Sequence, residues 1–384
     1  MRFSSFEKPW DKTYLSKYLT VSSLRNKDNN YTRNDVLSVS GELGIVNQIE
    51  LLGRSYAGES LLPYHIVEKD DVVYTKSPLA EYPYGIIKTN RKVPGIVSTL
   101  YAVYKPTTTA NNRFVEHYFS LKSRTNNYLK PIVRIGAKHD MKIGNEEVLK
   151  NYVVFPAVEE QTKIADFLDL LDDRISTQSK IISNLESLIK GIRQRIFSAS
   201  TFDTHTSKEY ELGSFLTEYS KKNIENNLIS VSVGKYGIRR RDEIYSKELS
   251  EDYSKNKVIE KDSLIIGMGS SQIDIGILSK DEKYCVSPAY TTYKISGINS
   301  DYLREYLIHL NSLLSKRYMV IGARQGKSVN KSELMQHVLL VHSIEKQLKI
   351  VDIFNAFYDK LQKEKDILSL YKKQKAYLLS NMFI

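Results

Sequence analysis

One cysteine stands in 384 residues. Cys285 has no partner for an internal disulfide, so the chain is not a disulfide-stapled secreted fold and suits a reducing compartment. No run of about 18 apolar residues occurs, which leaves no membrane-spanning helix to assign. The opening residues "MRFSSFEKPWDK" lack the apolar stretch of a signal peptide. These absences predict a cytoplasmic protein with no membrane partner.

Catalytic signatures are missing too. There is no HExxH, no Cys/His cluster at zinc spacing, no GxxxxGK[ST] and no GxSxG, and the seven histidines are scattered. "GMGSSQ" from Gly267 lacks dinucleotide-binding spacing and is expected to be a turn. Groupings such as "EKDD" at Glu68 arise by chance in a chain that is 26% charged. The expectation is a protein without catalysis or a metal of its own.

What is present is an ordinary globular composition, 41% apolar, with length enough for two domains. Net charge is +11, spread as +7 over residues 1–155, −1 over 156–198, +2 over 199–342 and +3 over 343–384. That balance is compatible with a polyanionic partner, and equally with a lysine-rich solvated surface.

The strongest feature is a duplication. Shifting the sequence by 186 residues aligns Ile135–Ser198 with Ile321–Ile384 without a gap, and 13 of 64 pairs are identical. "EEQTKIADFLDLLDDRISTQ" at Glu159 faces "EKQLKIVDIFNAFYDKLQKE" at Glu345. Upstream the likeness is patchier: "LSVSGELGI" from Leu37 resembles "ISVSVGKYGI" from Ile229, and "VSTLYAVYK" from Val97 resembles "VSPAYTTYK" from Val286. A period this long means two whole domains, not a solenoid.

The closest-matching segments carry apolar residues at alternating spacings of four and three, the pattern of a coiled-coil seam. The first seam is Ile164, Leu168, Leu171, Ile175, Gln178, Ile182 and Leu185. The second is Ile350, Phe354, Phe357, Leu361, Glu364 and Leu368. Gln178 and Glu364 put one polar break at the same slot of each. Two such helices would pair antiparallel and hold the globular domains apart as a dumbbell; packing along each domain's own flank is the alternative. Short β-rich runs followed by a helix-like stretch make each globular part α+β. The predicted organisation is residues 1–155 globular, 156–198 helix, 199–342 globular and 343–384 helix, with "SASTFDTHTSKEY" from Ser198 as the linker.

Tyrosine, at 27 residues, and the basic clusters beside glycines or turns fit contact with phosphates and base edges. The candidates are Lys76, Lys88, Arg91, Lys92, Lys138, His139 and Lys142 in the first half. In the second they are Lys235, Arg239, Arg240, Arg241, Arg324, Gln325 and Lys327.

"FPAVEEQTKIADFLDLLDDRISTQSKIISNLESLIKGIRQRIFS", from Phe155, resembles the central conserved region of specificity subunits of type I restriction-modification systems. The second copy resembles their distal region, departing at His342 for Pro156 and Lys346 for Glu160, and "YCVSPAYTTYKIS" is similar to a stretch of their recognition domains. The resemblance implies two target-recognition domains, each reading one half of an asymmetric split site in double-stranded DNA, separated by a helical spacer. It implies a non-catalytic subunit carrying two adenine-N6 methyltransferase subunits and two ATP-dependent restriction subunits. S-adenosylmethionine, ATP and Mg are then expected on those partners. A protein-binding adaptor is the alternative of another class, and an enzymatic fusion a third.

Overall fold

The computed structural model describes residues 2–79, 81–135, 141–202, 207–234, 237–245, 252–321 and 326–383. The fold is α+β, with many short strands and two long helices, a central one at Val158–Ile196 and a terminal one at Ile344–Asn381. Neither long helix contains a proline, so the main-chain ladder runs unbroken through each. The chain forms two compact units, Met1–Ser179 with Asp366–Ile384, and Lys180–Lys365. The division passes through both long helices, so each unit contains part of each.

In the first unit a four-stranded antiparallel sheet is ordered Leu19–Val21, Tyr101–Pro106, Val72–Thr75, Ile87–Thr89. Val72–Thr75, of sequence VVYT, is buried on both faces, with the Tyr74 ring fully inside. Asp11–Tyr14 pairs with Tyr152–Phe155, and Arg134–Ile135 pairs antiparallel with Met141–Lys142. Two short helices follow the sheet, Asn112–Tyr118 and Lys122–Leu129.

The second unit repeats this plan. Its antiparallel sheet is ordered Leu216–Tyr219, Thr291–Ile295, Ser263–Met268, Ile273–Leu278. Lys208–Glu211 pairs with Val338–Val341, and Met319–Ile321 pairs antiparallel with Lys327–Val329. One helix, Ser300–Tyr318, stands where the first unit has two. A further sheet, ordered Gly237–Arg240, Ser230–Gly234, Tyr284–Val286, Lys257–Ile259, includes one parallel pairing.

Seam residues do two jobs. Ile164, Leu168 and Leu171 of the central helix and Leu378, Met382 and Phe383 from the end of the chain join Leu15, Tyr74, Phe114 and Phe155 in the core of the first unit. An apolar stripe wider than a strict coiled-coil seam can face a helix and a domain together, so helix pairing and flank packing coexist. In the second unit Phe197, at the end of the central helix, stacks on Tyr306 at 4.6 Å and meets Tyr302 edge-on. Phe383, its repeat partner, meets Phe114 and Tyr118 at 5.4 and 5.7 Å in the first unit. Each unit is thus completed by the end of the long helix that belongs to the other half of the repeat.

Within the second unit the helices run antiparallel. Lys365 reaches Glu186 at 2.9 Å and Arg193 donates to the Tyr358 hydroxyl at 2.8 Å, so one numbering rises as the other falls. In the first unit Lys375 pairs with Asp172. Ile182, Ile350, Phe354 and Leu361 are buried, Ile175, Leu185, Phe357 and Leu368 partly so, and Gln178 and Glu364 are buried at 7% and 6% exposure. The two polar seam positions therefore sit at helix contacts, not in solvent.

The expected linker is structured at both of its described ends, Lys208–Tyr210 belonging to the strand Lys208–Glu211. The Thr201 hydroxyl donates to the Ile196 carbonyl at 2.8 Å, capping the end of the central helix, and the Phe202 ring stacks on His342 at 4.2 Å. Among the described residues no helix is long and apolar enough to cross a membrane.

Candidate nucleic-acid interface

The identical glutamines of the repeat form a joint. Gln161 is fully buried; its Oε1 accepts from the Asn111 N–H at 2.9 Å, and its Nε2 donates to the carbonyls of Pro156 and Thr109 at 2.9 and 3.0 Å. Gln347 does the same, accepting from the Asn299 N–H at 3.0 Å and donating to the His342 carbonyl at 2.8 Å. Asn111 and Asn299 are the N-caps of the domain helices. In both units one side chain therefore fastens the start of a long helix to the start of the domain helix beside it.

Where the copies differ at this joint, the partners differ. Glu160 is buried and accepts from Arg2 Nε and Nη2 at 2.7 Å each, with the Trp10 indole at 3.3 Å. Its counterpart Lys346 donates instead to the Thr201 carbonyl at 3.2 Å. His342, in place of Pro156, accepts or donates at Nδ1 with the Tyr302 hydroxyl at 2.9 Å, and burial beside Lys346 pushes it down to about 4.

Several basic candidates are engaged within their own unit. Lys88 and Arg91 pair with Glu116 at 3.7 and 2.8 Å, and Arg91 also reaches Asp169 on the central helix at 2.6 Å. Arg113 bridges Asp166 and Asp169, and His117 is hydrogen-bonded to Asp169 at 2.8 Å. This network ties the sheet and domain helix to the long helix. Burial alone would push the Asp169 carboxyl up; hydrogen bonds from His117 and Arg91 outweigh it and hold the group well below the usual range. Donor atoms of His117, Asp169 and Asp172 lie within 4.8 Å of one another, but Arg91, Arg113 and Lys375 already neutralise the two carboxylates. A metal ion does not fit that charge balance.

The remaining candidates cluster on hairpins. In the first unit Lys76 leaves the end of the Val72–Thr75 strand and donates to Asn145 Oδ1 at 2.6 Å, joining this strand end to the segment after the Arg134–Lys142 hairpin. Lys142 lies exposed opposite Arg134, and Lys92 is exposed. In the second unit Lys327 donates to the Ser270 carbonyl, joining the equivalent hairpin to the turn after Ser263–Met268. Arg239 is exposed on Gly237–Arg240, Arg240 chelates Asp242, and Arg241 donates to Ser232 Oγ at 3.1 Å while covering the Tyr245 ring. Lys138, His139, Lys235, Arg324 and Gln325 lie outside the described residues. Each unit thus has the same juxtaposition, a basic hairpin held against a strand end, with a different set of side chains on it.

Two residues at these faces carry no sequence signal. Arg25 bridges His65 through the backbone, and burial with Arg25 and Lys76 nearby pushes the His65 ring down to about 4. Asp274 lies in the glycine-lined mouth between the two sheets of the second unit. Only strand register brings these residues to the faces. Cys285 is buried with Sγ directed at the Leu228 carbonyl, a packing role.

Comparison with known proteins places this geometry. The family pattern of the type I restriction modification DNA specificity domain matches residues 205–370. A chain from a structure of complex assembly and conformational transition in the type I R-M system has a TM-score of 0.59 at 14% identity, over 97% of this chain and 97% of its own. The S subunit of a type-I restriction-modification system from M. genitalium has a TM-score of 0.57 at 12% identity, over 100% and 99%. At such identities the likeness is one of fold. No curated protein matches the sequence.

Proposed function

We propose, from the match of residues 205–370 to the pattern of the type I restriction modification DNA specificity domain, that this chain is the sequence-recognition subunit of such a complex. Each unit reads one half of an asymmetric split site in double-stranded DNA, and the paired helices set the gap and seat two methyltransferase subunits. Two restriction subunits complete the assembly, with S-adenosylmethionine, ATP and Mg held by these partners.

The observation that carries the reading is a contrast within the molecule. The glutamine joint and the terminal phenylalanines recur in both units. The polar residues at the strand ends do not: Lys76 and Arg25 belong to one unit, and Arg239, Arg241, Lys327 and Asp274 to the other. Like sockets suit two copies of one partner, whereas unlike faces suit two different half-sites. Exposed apolar side chains on the long helices support the docking role. Phe167, Ile181 and Leu188 lie at multiples of seven residues, and Ile353 and Ile367 are the repeat partners of the first two.

Long-read detection of N6-methyladenine tests this, in cells expressing the chain with its cognate methyltransferase subunit against cells lacking the chain. A new split motif of two unequal half-sites around a fixed gap is expected. A palindromic motif, or none with the methyltransferase expressed and bound, overturns it. DNA binding should also weaken by about 10³–10⁵ between 50 and 200 mM salt if roughly 6–10 phosphates are neutralised; an adaptor using apolar patches would lose far less.

A further inference from the structure

The mouth between the two sheets of the second unit is lined by glycines. Gly234 ends one strand, Gly269 opens the turn that closes on Gln272, and Gly267 lies directly across the strand pair from Asp274. On the face that Asp274 shares with Gly276, the space beside Gly276 is filled by Val233 and Ile238. The other face belongs to the domain helix, where the Ile273 N–H donates to Ser315 Oγ at 2.9 Å. Asp274 is therefore a half-buried acid at the start of its strand, beside the apolar contacts of Gly276.

Glycine is required around it. A Cβ on Gly269 would stand 2.6 Å from Asp274 Oδ1, and one on Gly267 would stand 2.3 Å from the Tyr290 ring. The Tyr290 hydroxyl is turned away, donating to the Val233 carbonyl at 3.1 Å. Arg241 is committed to Ser232 and Tyr245, and Lys327 to the Ser270 carbonyl. Among the described residues no donor or cation reaches the Asp274 carboxylate, and burial alone pushes it up. A half-buried carboxylate with no protein donor among the described residues has its oxygens free to accept from an incoming group.

We infer that Asp274 is a specificity-determining residue that accepts a hydrogen bond from the exocyclic amino group of a cytosine in the major groove of one half-site. The inference rests on the proposed role in DNA recognition. Carboxylates pair with cytosine N4 by geometry, and contacts to base edges, unlike contacts to phosphates, carry sequence information. The first unit differs at the same register. There the strand end carries Thr75, opposite Ile86, followed by Lys76. The place that Asp274 holds is taken in the first unit by the buried Ile86, so the acceptor belongs to one unit alone, as two different half-sites call for.

The test is to express Asp274→Asn and Asp274→Ala chains with the cognate methyltransferase subunit and map their methylated motifs beside the wild type. The wild-type motif should require a C·G pair at one position. Asp274→Ala should lower that discrimination roughly tenfold or more at this position only, leaving the other half-site and the gap unchanged. Asp274→Asn should shift the preference there toward adenine, because a carboxamide matches the N6/N7 edge. Motifs unchanged at every position overturn the inference, as does relaxation spread over the whole half-site. Loss of methylation by both variants with unaltered thermal melting also overturns it, since Asp274 would then serve binding in general. If the wild type deposits no split motif, the proposed function itself fails.

Discussion

Removing the Gln161 side chain tests the joint that the repeat preserves. Gln161→Ala deletes one accepted and two donated hydrogen bonds in a fully buried setting, leaving the Asn111 N–H and the carbonyls of Thr109 and Pro156 without that partner. At about 0.5–1.5 kcal/mol for each bond, with a small cavity added, the cost is about 3–4 kcal/mol. Gln347→Ala deletes one accepted and one donated bond, and should cost about 1 kcal/mol less. In a unit of this size, each kcal/mol lowers the melting temperature by about 2–4 °C. Calorimetry should therefore show a transition about 10 °C lower for Gln161→Ala, and amide exchange should place the loss in the first unit. Gln161→Glu gives a sharper reading. It keeps the acceptor but sets a carboxylate against two carbonyls, so its penalty should shrink on acidification as a protonated acid regains one donor. A cost under about 1 kcal/mol for Gln161→Ala, or a larger one for Gln347→Ala, would refute the reasoning.

Glu305→Gln should destabilise the second unit by about 3–5 kcal/mol in urea unfolding, because it strips the counter-charge from Arg193, held at 2.7 Å in a buried pair; a double replacement of both residues by methionine should recover much of that loss. Phe383→Ala should cost about 3–5 kcal/mol and lower amide protection in the first unit, whereas Phe197→Ala should do so in the second. His65 and His342 have folded-state values pushed down to about 4 from 6.5. The unfolded chain therefore binds protons that the folded chain refuses, and stability should be full above pH 6.5 and fall steadily toward pH 4. The urea midpoint followed across that range should show the slope, and His342→Phe should reduce it.

Much of this was legible along the chain. The 186-residue shift picked out both long helices, whose seam from Ile164 to Leu185 and from Ile350 to Leu368 follows local periodicity and burial. Helical period is a property of neighbouring residues, so it survives in one sequence read alone. The alternation of short β-rich runs gave α+β for the same reason. Gln161 and Gln347 stood out as an identical pair, though nothing local said that their amides reach a domain helix.

Tertiary structure decided which charges are free. Lys88 and Arg91 look like the exposed Lys92 and Lys142 in sequence, yet Glu116 and Asp169 come to them from distant elements and engage them. It also decided that Phe197 and Phe383 complete units built mainly by the other half of the repeat. Asp274 had no signal at all. Its place depends on strand register, on glycines 234, 267 and 269 from two hairpins, and on basic neighbours held by other partners. Periodicity is written between residues a few positions apart, whereas charge pairing and the lining of a mouth depend on contacts between segments that only folding brings together.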